Sequence, residues 1–182
     1  MDTIREERQS SRPASKDSPG AHSSALRKTA VAAALAAVVG LLVGIEVAVS
    51  ALGSGYWVFA IAAPLAAALT FGGLWWGFAA RRDEVSVLRA VFLGASAGIF
   101  SHPLCWYLLF LGAWSCYVTT GSCTSSLGSP PIGPIDGLWG IWATSFFSLL
   151  FWGWVTVPAG IIIALWSRRR VAAPGLSADH SR

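Results

Sequence analysis

The chain has 182 residues, of which 54% are apolar and 12% charged, with a formal net charge of +4. A soluble domain carries about 25% charge, and here the charge is also swept to a few places. Between Lys28 and Ser167 the only full charges are Glu46, Arg81, Arg82, Asp83, Glu84, Arg89 and Asp136, so an ordinary soluble domain is excluded.

A hydrocarbon core about 30 Å thick needs roughly 20 apolar residues in helix. Four blocks meet that length, and they predict an all-α integral membrane protein: four transmembrane helices in a compact up-down bundle with a disordered tail at each end. Residues 1–28 form the N-terminal tail, which mixes both signs of charge with Ser, Pro and Gly and has little apolar surface to bury. Span one covers about 29–52 and is almost wholly Ala, Val, Leu and Gly. Val49 to Ala51 looks like a signal-peptidase site, yet the apolar core exceeds the usual 7–15 or so residues, which favours a retained signal-anchor helix.

Glu46 is the only carboxylate inside a predicted span. An acid in a membrane helix commonly marks an ion or proton path. A span that starts at Thr29 and needs about 20 residues ends near Ala48, however, which brings Glu46 close to the headgroups. Three readings stand: an interfacial acid, an internally paired one, or part of a transport path.

Span two covers about 56–79 and is followed by the basic stretch Arg81, Arg82 and Arg89. Span three covers about 90–114 and holds His102 midway, just before Pro103. Val91, Ala95, Gly98, His102, Trp106 and Leu109 fall on one helical stripe, whose small residues suit a neighbouring helix better than lipid. His102 is therefore read as hydrogen-bonded across an interface, with a proton-relay or substrate role and metal binding as the other readings. Cys105 is the only other plausible ligand at that depth, and its simplest role is that of a small buried hydrophobe.

The connection 115–137 is the one long loop on its side of the membrane. It contains Cys116 and Cys123, and outside the cytoplasm such thiols oxidise. A structural disulfide is expected, against two free thiols or a redox pair. Redox enzymes of this kind use a tight C-x-x-C, which occurs nowhere in the chain. Span four, about 138–166, is longer than a perpendicular crossing needs and should tilt. Residues 167–182 form the C-terminal tail.

Every Lys and Arg lies before span one, between spans two and three, or after span four. The positive-inside rule then places both termini in the cytoplasm. Tyr56, Trp57, Trp114 and Trp139 are expected at the outer membrane boundary, Trp75, Trp76 and Trp166 at the inner one, and Trp106 and Trp152 inside. Arg outnumbers Lys, Ala and Gly are abundant and Asn is absent. That composition suits a GC-rich prokaryotic genome, and so the cytoplasmic membrane of a prokaryote.

Gly40/Gly44, Gly73/Gly77 and Gly94/Gly98 are G-x-x-x-G pairs, one in each of the first three spans, which let helix backbones approach closely. They argue for a compact bundle or a self-association face, hence for a homo-oligomer as a further expectation. Pro64, Pro103 and Pro158 interrupt spans and should bend them. No catalytic constellation, nucleotide loop, metal-spaced ligand set or cofactor motif is found, and the net charge follows from cytoplasmic anchoring rather than from nucleic-acid binding. The expected partner is the lipid bilayer. The default reading is a non-enzymatic structural or interaction protein. A small proton- or ion-coupled transporter using Glu46 and His102 is the first alternative, and an outward-facing thiol oxidoreductase the second.

Overall fold

Lipid offers the backbone no hydrogen bonds, so an apolar block that enters it must satisfy its own N–H and C=O groups, and a helix does this within one segment. A computed structural model describes residues 19–50, 56–79, 85–124 and 128–171, and it places each of the four blocks in one helix. They are α1 (Pro19–Ser50), α2 (Phe59–Phe78, preceded by a single 3-10 turn at Tyr56–Val58), α3 (Val87–Thr120) and α4 (Gly137–Val171). No strand occurs among the described residues.

The ends follow from local chemistry. Ser86 caps α3 in extended backbone, and its hydroxyl accepts the Arg89 N–H, which satisfies one of the free donors of the first turn. Gly121 stops α3 in the left-handed conformation at φ 67°, donating its N–H to the Tyr117 carbonyl at 2.9 Å. Glycine adopts that conformation at little steric cost. Pro64, Pro103 and Pro158 all remain inside helices, as membrane helices allow.

Three boundaries differ most from the sequence reading. Helix α1 begins at Pro19, so residues 19–28 are helical and not part of a disordered tail. Pro suits a first helical turn, and the Ala-Leu-Arg-Lys run that follows extends a helix readily. Residues 1–18 lie outside the described residues, as do Gly53 to Gly55, Arg81, Arg82 and 172–182. Helix α3 runs to Thr120 and not to Trp114, so Cys116 belongs to its last turns and not to the loop. The hydroxyls of Thr119 and Thr120 bond back to the Ser115 and Cys116 carbonyls at 2.8 and 2.7 Å, which lets this polar end stay helical outside an apolar phase. Helix α4 runs to Val171, five residues past the expected end of span four.

The helices alternate in direction around a ring in which α1 and α2 form one close hairpin, α3 and α4 the other. Helix α2 packs on α3 to join the hairpins, and the α1–α4 seam that closes the ring is the thinnest. One half of the bundle is solid. There Trp75, 1% exposed, stacks on Phe71 at 5.9 Å between centroids, surrounded by Ala32, Ala36, Ala90 and Ile163. This corrects the expectation that Trp75 is a boundary anchor. Alanines at the facing positions leave room for an indole, and Phe71 and Trp75, four residues apart, share the inward face of α2. At the end of that half, Arg168 Nε donates to the Val85 carbonyl at 2.7 Å and fastens α4 to the segment entering α3. Tyr56, Trp57 and Trp139 are exposed, as a lipid or interfacial position requires.

Candidate functional site

Each hairpin is drawn together by one glycine pair. A Cβ on Gly40 would lie 2.7 Å from the Ala63 carbonyl oxygen, and one on Gly44 would run into that of Phe59. In the second hairpin a Cβ on Gly98 would lie 2.8 Å from Val157 Cα, and Gly94 meets Gly160 backbone to backbone. Bare backbones approach closely enough to gain dispersion contacts that larger side chains would block. Gly73 and Gly77 depart from this pattern, because a Cβ on either meets nothing within 4 Å. They lie on the face of α2 opposite Phe71 and Trp75, so the same motif faces away from the bundle.

Tight pairing within each hairpin leaves a space between the hairpins in the half away from Trp75. A partly open cavity of about 90 Å³ lies there, with walls from all four helices. Val43 and Gly44 of α1 line it, as do Phe59 of α2, Trp106 of α3 and Trp152 of α4. On the α2–α3 side it is closed by an aromatic wall, where Phe59 meets Trp106 edge-on at 5.3 Å and Trp106 lies 6.2 Å from Phe110. Its polar side is Ser101, His102, Cys105, Ser148 and Thr156.

His102 is 6% exposed and both ring nitrogens are engaged. Nδ1 is 2.6 Å from Ser148 Oγ and Nε2 is 2.9 Å from Thr156 Oγ1. Thr156 donates its own hydroxyl proton to the Trp152 carbonyl at 3.2 Å, so toward His102 it accepts. This network assigns the proton to Nε2 and leaves Nδ1 to accept from the Ser148 hydroxyl. One imidazole therefore clasps two hydroxyls that stand two turns apart on α4. His102 shares its buried face with Gly94 and Gly98, and the glycines hold α3 close enough for the ring to reach α4. Sequence reasoning found His102 and missed Ser148 and Thr156. Hydroxyl residues at i and i+8 in an otherwise apolar block were the available signal.

Glu46 is not brought to this site. Its side chain is exposed, about 200° around α1 from the cavity-lining Gly44 at 100° per residue, and its carbonyl accepts the Ser50 hydroxyl at 2.6 Å. Cys116 and Cys123 form a disulfide across a Cα–Cα distance of 6.0 Å. Gly121 at φ 67° and Cys123 at φ 63° turn the chain back toward the end of α3, while Thr120 Oγ1 accepts the Ser122 N–H at 3.1 Å. Cys105 is a free thiol on the cavity wall. Among the described residues no three His, Cys, Asp or Glu side chains gather as a metal site would need. Comparison with family models, curated proteins and solved structures finds no match to this chain.

Proposed function

We propose that this is a non-enzymatic, multi-pass protein of a prokaryotic cytoplasmic membrane, with both termini cytoplasmic, that receives a small molecule between its two hairpins. One observation carries the reading: the cavity is walled by all four helices and holds the His102 network on one side. Pockets that are mostly apolar with a few fixed polar groups are the usual form of small-molecule sites. The polar groups are tied to one another, as suits a wall that orients a guest rather than one that exchanges protons with it. The exposed position of Glu46 weighs against a transport path linking it to His102. The pairing of Cys116 with Cys123 supports a loop staple more than thiol exchange.

The test is native mass spectrometry of the full chain released from nanodiscs, beside a cavity-filled variant, Ala67→Leu, with Val43→Phe as a second. Ala67 and Val43 both line the cavity. The reading expects bound small molecules on the wild type that both folded variants lose. Equal retention by all three proteins would overturn it.

A further inference from the structure

Among the described residues the cavity has one way out. Its inner end is stopped by Phe71, stacked on Trp75 in the solid half of the bundle. Toward the disulfide loop a row of rings lies across it: Tyr56 stacks on Phe59 at 6.2 Å, Phe59 meets Trp106 at 5.3 Å, and Trp106 lies 6.2 Å from Phe110. Phe110 in turn packs on the start of α4, where a Cβ on Gly137 would lie 3.4 Å from its ring. Backbone contact at the glycines shuts the α1–α2 and α3–α4 seams. The thin α1–α4 seam is left. Two rows border it, Val39, Val43 and Val47 on α1 and Ser148, Trp152 and Thr156 on α4; all six line the cavity and are half-buried. The valines offer no hydrogen bond to the opposite row. Beside the rows Val38, Leu42 and Phe151 are exposed, so the opening is continuous with the surface that faces lipid.

Glu46 stands at this opening. It follows Val39 by seven residues and Val43 by three, about 20° and 60° away around α1, and it is the neighbour of Val47 at the end of the cavity nearer the disulfide loop. Its side chain is exposed. Asp136, exposed just before α4, is the other full charge on that side, which carries no Lys or Arg. From this juxtaposition we infer that the cavity takes the end of one acyl chain of a phospholipid with an ammonium head group, the chain passing through the α1–α4 seam and the ammonium resting at Glu46. The inference rests on the binding reading above and names its ligand. Acyl chains surround the opening as solvent, and an empty pocket would forfeit the dispersion contacts that a chain end restores. The bore suits a slender chain, because about 90 Å³ is less than the roughly 150 Å³ that admits benzene. Each bordering row runs about 12 Å, most of the hydrocarbon depth of one leaflet, about 15 Å. Polarity inside does not choose the head group, because Trp106 and Trp152 bring indole N–H donors to a wall that also holds hydroxyl acceptors. Charge at the opening does. An anionic head group would meet Glu46 and Asp136 as like charges, whereas an ammonium is attracted to Glu46.

The experiment uses full-length protein in nanodiscs of equal phosphatidylethanolamine and phosphatidylglycerol, with a diazirine near the chain end of one lipid or the other. Labelled residues are mapped by mass spectrometry, and the exposed Leu69 and Phe151 report ordinary lipid contact for reference. Cavity labelling is expected at Cys105, Trp106 or Trp152, and it should be lost in Ala67→Leu or Val43→Phe, whichever folds with wild-type helicity. Relative to the reference residues, the ethanolamine lipid should label the cavity about threefold more than the glycerol lipid, the worth of one exposed ion pair. Glu46→Gln should keep the labelling and lose that preference. Equal or stronger cavity labelling by the glycerol lipid, or a preference unchanged in Glu46→Gln, would overturn the inference. Absence of cavity labelling by both lipids, with guests still lost from the filled variants in native mass spectrometry, would overturn it while leaving the cavity a binding site. Absence of both labelling and guests would overturn the binding reading itself.

Discussion

Replacing Gly98 by Ala places one methyl group where α3 touches α4. The new Cβ would stand 2.8 Å from Val157 Cα and 2.9 Å from the Thr156 carbonyl oxygen. Ordinary contact begins near 3.4 Å, so the shortfall is about 0.6 Å, and both neighbours are backbone that no rotamer change can move aside. The helices must part along the seam, and such overpacking costs about 1–3 kcal/mol. The same displacement pulls Thr156 away from His102, so the imidazole network should loosen as well. Gly73→Ala and Gly77→Ala are the internal comparison, because a Cβ there meets nothing within 4 Å. Each should be neutral or gain up to about 1 kcal/mol from better helix propensity. Reversible unfolding in mixed micelles, followed by helical circular dichroism as the denaturing detergent fraction rises, measures all three. A Gly98→Ala variant as stable as wild type, or a Gly73→Ala variant destabilised to the same degree, would refute the assignment of packing faces.

Three further outcomes are expected. Cys116→Ser should destabilise the loop by about 2–3 kcal/mol, the value for closing so short a ring. A membrane-impermeant thiol reagent should label Cys123 in that variant and neither Cys116 nor Cys123 in unreduced wild type; loss of helix in Cys116→Ser would contradict a staple confined to the loop. Nitrogen-15 spectra of His102 should show the ring proton on Nε2, and His102→Leu should cost about 1–3 kcal/mol by leaving the Ser148 and Thr156 hydroxyls without the ring; a proton on Nδ1 would refute the assignment made from the Thr156 contacts. Reporter fusions after Arg89 and within residues 124–129 should read cytoplasmic and external respectively, and a cytoplasmic signal from the second would overturn the orientation.

The sequence by itself determined the number of helices and roughly where each lies. Those are properties of single segments: a bilayer demands a certain apolar length and an internally bonded backbone, and both can be read one block at a time. It also pointed to His102 and to the pairing of Cys116 with Cys123, because a polar residue in an apolar block and two thiols in one short connection stand out locally. The ends were less legible. Pro19 and Thr120 extend their helices past the apolar blocks, where hydrogen bonding and capping decide the boundary rather than hydrophobicity. Only the tertiary structure decided which faces meet. Gly94/Gly98 and Gly73/Gly77 carry the same spacing, yet one pair touches backbone and the other faces outward, because a motif records what a helix permits and not which neighbour arrives. Trp75 turned inward because alanines on other helices made room for it. The partners of His102, Ser148 and Thr156, lie 46 and 54 residues away. No local pattern encodes that distance, and the clasp exists because two glycines let α3 and α4 come close enough for one ring to bridge them.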